Sequence, residues 1–111
     1  MKLADVVKEL SLEIKTCEEC LQKDITGAYV SDLLSDVMAN SRDGNIWITL
    51  QTHMNIVAVA GLKNLTCIII VGGRHVEDDI IKKAEEEKVA IMTTPMPAFE
   101  VAGKIYQLLN N

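Results

Sequence analysis

The stretch Thr66–Asp79, "TCIIIVGGRHVEDD", decides the fold. Its first part, "IIIV", is apolar at every position, whereas a strand with one wet face alternates. An unbroken apolar run of this length predicts a central strand covered on both faces. Two glycines follow, and then a charged segment that opens a helix. Strand, tight turn and helix in this order form the repeating unit of a parallel α/β sheet.

The same unit recurs on either side. "NIWITL" is a strand and "HMNIVAVAGL" a helix, with Thr52 as its N-cap. "VAIMTT" is a strand, and "PAFEVAGKIYQLL" a helix with Pro97 in its first turn. Upstream, Leu3, Val6, Val7 and Leu10 keep the i, i+3, i+4, i+7 spacing of an amphipathic helix. "LEIKTC" alternates as a half-buried strand does, and "DITGAYV" is extended. "SDLLSDVMANSRDG" reads as a helix capped by Ser31 or Asp32, with Leu33, Leu34, Val37 and Met38 on one face and a stop at Asp43-Gly44. The expectation is a three-layer α/β/α sandwich with a mostly parallel sheet, in a single domain over residues 1–111.

Bulk properties agree with one self-standing core. The chain has 111 residues, 49% hydrophobic but only 4% aromatic, so the core is built from Ile, Val, Leu, Ala and Met. A domain of this size buries roughly two-thirds of its unfolded surface and needs no metal or disulfide staple. The net charge of −5 argues against nucleic acid or an anionic membrane as partner, because both call for clustered cations. The first helix carries Lys2, Asp5, Lys8 and Glu9, which excludes a signal sequence or a membrane span there. A cytoplasmic protein with Cys17, Cys20 and Cys67 reduced is expected.

In parallel sheets ligands bind outside the carboxyl ends of the strands. Three strand-to-helix turns would share that edge, gathering Gln51, Thr52, His53, Gly72, Gly73, Arg74, His75, Thr93 and Thr94. The glycines are read first as a bend, since glycine tolerates positive φ, and second as a contact for an anion or nucleotide. Glu77, Asp78 and Asp79 open the next helix and would repel a phosphate placed there. Neither G-x-x-x-x-G-K-[ST] nor G-x-G-x-x-G occurs. His53 and His75 have no nucleophile or carboxylate at a recognisable spacing and read as hydrogen-bonding loop residues. The threonines read as caps. One C-x-x-C, Cys17 to Cys20, falls short of a four-ligand metal set and reads as structural. No catalytic residue, metal site or cofactor is expected.

The segments "ITGAYVSDLLSDVM", "THMNIVAVAGL", "TCIIIVGG" and "TTPMPAFEVAGKI" together resemble the DRTGG domain family, over about Leu10 to Leu109. "TGAYVSDLLS" carries the likeness most specifically. That family is similar to the amino-terminal domain of HPr kinase/phosphorylase. The resemblance implies the same three-layer fold, a homodimer, and an accessory or regulatory role beside modules such as CBS pairs, without an established activity. Small members of this kind resemble companions of anaerobic redox (hydrogenase-type) systems. The chain departs from the pattern that names the family. Thr52-His53 stand at the Asp-Arg position and Val71-Gly72-Gly73 at Thr-Gly-Gly, so two charged anchors are gone.

Four functions follow in order. The first is a non-catalytic module sensing a nucleotide or small anion through Thr52, His53, Gly72, Gly73, Arg74 and Thr94. The second is a protein-interaction or scaffold subunit beside a redox or kinase-like system. Redox sensing through Cys17 and Cys20 is a separate candidate, and an enzyme ranks last.

Overall fold

The computed structural model describes residues 1–110. Eleven elements run in the order α1 Leu3–Leu10, β1 Glu13–Ile14, a short 3-10 helix Glu18–Gln22, β2 Gly27–Val30, α2 Leu34–Asn40, β3 Asn45–Thr49, α3 Asn55–Leu62, β4 Cys67–Ile70, α4 Asp78–Glu87, β5 Ile91–Thr93 and α5 Ala98–Leu109. The five strands form one sheet ordered β1-β5-β4-β3-β2. Strands β2 to β5 are parallel, and β1 joins β5 antiparallel with Glu13 opposite Thr93 and Ile14 opposite Met92.

Given this order, chain handedness decides the layers. From β2 to β5 each strand is added on the same side of the last. Right-handed crossovers then put α2, α3 and α4 on one face. The opposite face is left to the two chain-end helices, α1 and α5. Strand residues divide accordingly. Ile46, Ile48, Cys67, Ile69 and Met92 pack in the cluster with α1 and α5, while Trp47, Ile68, Ile70 and Ile91 pack with α2 to α4. Register aligns these sets into rows, Trp47–Ile68–Ile91 on one face and Ile48–Ile69–Met92 on the other. All four residues of β4 have no exposed surface, as its unbroken apolar run predicts.

Several expectations need correction. The "LEIKTC" strand shrinks to two residues at a sheet edge, because Lys15 and Thr16 donate both of their amides to the single carbonyl of Ile91 instead of extending the ladder. Helix α2 begins at Leu34, with Leu33 rather than Ser31 or Asp32 at its N-cap, and ends at Asn40. Of its supposed apolar face only Val37 is buried, and Leu33 is 64% exposed. Asp32 serves the end of β3 instead of a helix start. Helix α3 is capped at Met54, not Thr52, and the His53 ring accepts the Asn55 amide there. Most consequentially, Cys17 and Cys20 are not reduced thiols: they are joined by a disulfide.

Candidate functional site at the carboxyl edge of the sheet

Strands β4 and β5 are neighbours, yet the chain leaves β4 toward α4 on one face and β5 toward α5 on the other. That divergence opens a crevice outside their carboxyl ends, where α/β proteins commonly hold ligands. Here the protein fills much of it with its own backbone. The Gly72 amide donates to the Met96 carbonyl at 2.8 Å, and the Gly73 amide to the Thr94 carbonyl at 3.0 Å. Both glycines have left-handed φ, +74° and +68°. Their freedom is therefore used to turn the chain and staple two loops. Neither N–H is left to cradle a phosphate.

What remains open lies beside that staple. A depression of about 420 Å³ is lined by Ser11, Glu13, Lys15, Gly73, Arg74, His75, Thr93 and Thr94, among others. A second, of about 250 Å³, is lined by Asp32, Leu50, Gln51, Thr52 and Arg74. Arg74 borders both. Of the sequence-derived set, Thr52 lines the smaller depression, Gly73 and Thr94 the larger, and Arg74 both. His53 and Gly72 line neither. Gly72 backs onto Leu50, whose Cδ2 would lie 3.1 Å from an added Cβ. Thr94 is buried, and its hydroxyl accepts the Met96 amide at 3.2 Å to shape the turn.

Two groups escaped the sequence reading. The first is Asp32, whose Oδ1 accepts the Thr49 hydroxyl at 2.8 Å and the Leu50 amide at 2.7 Å. Gln51 Nε2 returns a bond to the Asp32 carbonyl at 2.9 Å. Asp32 thereby ties the end of β2 to the end of β3 and leaves its second oxygen without a protein donor among the described residues. A lone Asp after a strand was the available signal. The second group is Glu13 and Lys15 of the β1 segment. Lys15 Nζ lies 3.0 Å from Glu13 Oε1, and its hydrogen bond and charge hold the Glu13 carboxyl below the usual glutamate range. No local signal could have found them, because their place at the rim depends on pairing with Thr93.

Electrostatically, Glu13 offsets Lys15, and His75 Nε2 sits 4.0 Å from Glu77. Arg74 is exposed and has no carboxylate partner among the described residues. One uncommitted guanidinium between two polar hollows can take an anionic group bidentately, and a neighbouring carboxylate can accept hydroxyl donors. Among the described residues there is no cluster of His, Cys, Asp and Glu suited to a metal, and no helix long and apolar enough to cross a membrane.

A mostly parallel sheet with helices on both faces and a polar carboxyl edge is the architecture of a three-layer α/β domain. The chain belongs to the DRTGG domain family, whose profile matches residues 5–108. Among solved structures it is similar to the CBS and DRTGG domains of the regulatory region of Clostridium perfringens pyrophosphatase, complexed with the activator diadenosine tetraphosphate. The TM-score is 0.73 at 22% identity, covering 96% of this chain and 46% of that one. At that identity the likeness bears on the fold alone, and this chain spans less than half of the neighbour's length. No curated protein matches the sequence significantly.

Proposed function

We propose that this chain is a non-catalytic regulatory domain that senses a nucleotide or another phosphorylated small molecule at the carboxyl edge of its sheet. The carrying observation is Arg74, a cation free of any carboxylate partner among the described residues and bordering both depressions. A phosphate would sit on its guanidinium, with ribose hydroxyls on Asp32 and Gln51. The similar pyrophosphatase region, regulatory and complexed with a dinucleotide activator, supports the same class of ligand. The cytoplasmic placement read from the sequence, and work beside a second copy or a further module, belong to this proposal.

The test is calorimetry and thermal denaturation with ATP, diadenosine tetraphosphate and inorganic phosphate. A ligand at a hundred times its Kd should stabilise the domain by about 2.7 kcal/mol. Arg74→Ala should weaken binding roughly tenfold or more, the loss of a charge-assisted hydrogen bond, while leaving the unliganded Tm unchanged. A flat Tm across the panel would remove the reading.

One observation favours the interaction-subunit reading. Phe99 and Tyr106 lie seven residues apart on the same face of α5, and they are 90% and 70% exposed. Exposed aromatics on one stripe suit a protein contact beside a redox or kinase-like system. If Phe99→Ser leaves sedimentation unchanged and abolishes capture of no partner, that reading fails.

A further inference from the structure

We propose that Cys17 and Cys20 form a two-electron thiol–disulfide couple whose state is transmitted through β1 to the rim of the sheet. The bond makes a poor staple. It joins residues three apart, with Cα atoms 5.3 Å from each other, around the first turn of the 3-10 helix Glu18–Gln22. Closing so small a ring removes little freedom from the unfolded chain. The two sulfurs sit at the margin of the core, Cys17 and Cys20 being 2% and 1% exposed and packed in the cluster with α1 and α5, while strand residues of β3, β4 and β5 supply its centre. All three cysteines are buried, and the third differs in having no sulfur partner and, unlike Cys17, in lining no depression. Cys67 is wholly buried in the central strand, and burial pushes its thiol far up and out of reactive range.

The placement of the pair is what gives it leverage. Cys17 has a left-handed backbone, φ +58°, which a residue with a side chain keeps only where something holds it. Two things do so: the bond to Cys20, and the Cys17 amide donating to the Glu85 carboxylate of α4. Immediately before it, the Thr16 hydroxyl donates to the Val89 carbonyl and accepts the Ile91 amide, so this segment is tied to the start of β5. Lys15 connects the two regions. It lines a depression of about 320 Å³ with Thr16, Cys17, Glu18 and Glu85, and it also lines the rim depression with Glu13 and Arg74. Opening the disulfide frees Cys17 to leave the left-handed region. The two-residue strand ahead of it then shifts against β5, carrying Glu13 and Lys15.

The reductant is a dithiol, from a protein or a small molecule. Cys17 lines the depression but is only 2% exposed, so a local opening of the segment 16–22 admits one of the thiolates to its Sγ, the S–S bond breaks, and Cys20 departs as a thiolate that takes a proton. The second thiol of the reductant then resolves the mixed disulfide, releasing Cys17 as a thiol and closing the reductant's own disulfide. Two electrons and two protons pass to the pair, and oxidation is the reverse. The consequence for ligand binding rests on the rim reading above, whereas the couple and its effect on β1 do not.

The experiment takes the full chain with dithiothreitol and, separately, after oxidation with diamide. Differential alkylation with mass spectrometry counts thiols, amide NMR shifts map the change, and ATP serves as the binding probe. Cys17 and Cys20 should become labelled together only when reduced. The amides of Glu13, Lys15 and Thr93 should move between states while that of Val57 in α3 stays. The Kd for ATP should change by about fivefold, the lower end of typical site-to-site coupling. Movement at Glu13, Lys15 and Thr93 without ATP binding in either state upholds the couple and removes the rim reading instead. Full alkylation of both cysteines after diamide overturns the proposal, and so do shifts confined to residues 16–22.

Discussion

Strands β4 and β1 lie two places apart in one sheet and differ in almost every physical respect. Strand β4 has a parallel neighbour on each side and no exposed residue. Strand β1 has two residues and a single antiparallel neighbour, and Glu13 is exposed. The inner strand supplies stability and no chemistry, and its one thiol is inert. The outer strand supplies little stability, yet it brings Glu13 and Lys15 to the rim and leads directly into the disulfide. A strand held by few bonds is the part of a sheet that shifts most readily.

The contrast can be broken most forcefully in β4. Ile69→Ala should cost about 3–4 kcal/mol in urea unfolding, because it opens a cavity in a row closed by Ile48 and Met92. Ile14→Ala, at the half-buried edge, should cost less than half of that. Equal losses would show that β1 belongs to the same rigid core.

Next in size is the tie between the two regions. Thr16→Val removes the hydroxyl that accepts the Ile91 amide and strands that buried N–H, with an expected loss of about 1–3 kcal/mol in the same assay. Hydrogen exchange should rise at Ile91 and not at Ile69.

Gly72→Ala sharpens the reading of the glycine pair. Its φ of +74° and the close approach of Leu50 predict a loss of about 1–2 kcal/mol. ATP affinity should stay unaltered, because the Gly72 amide is already committed to Met96. A lost affinity with full stability would restore the glycines as ligand contacts.

The smallest effect concerns pH. The folded carboxyl of Glu13 titrates below its unfolded value because of Lys15, so its stabilisation exists above the ordinary glutamate range near pH 4 and is lost as pH falls through the lower folded value. Lys15→Ala should lower the Tm slightly at neutral pH, with wild type and variant converging in stronger acid. Asp36, held below the ordinary aspartate range by the Tyr29 hydroxyl at 2.8 Å and by Asn40, loses its contribution in acid alike in both proteins.

Local pattern by itself determined the layered α/β fold. An all-apolar run such as Cys67–Val71 has few alternatives to a central strand, and the strand–helix alternation then places the loops of β3, β4 and β5 at one edge. Arg74, Thr52 and Thr94 were legible there for that reason. The sequence could not show that the Gly72 and Gly73 amides spend their donors on the carbonyls of Met96 and Thr94, more than twenty residues away. It also held no sign that Asp32 serves β3 rather than α2, or that Glu13 pairs with Thr93 across 80 positions. Hydrophobic periodicity and capping act within a turn or two of chain, and they record which face a residue turns inward. Which edge strand completes the sheet and which loop amides remain free are decided only when distant segments are packed together, and in this protein those decisions shape the rim.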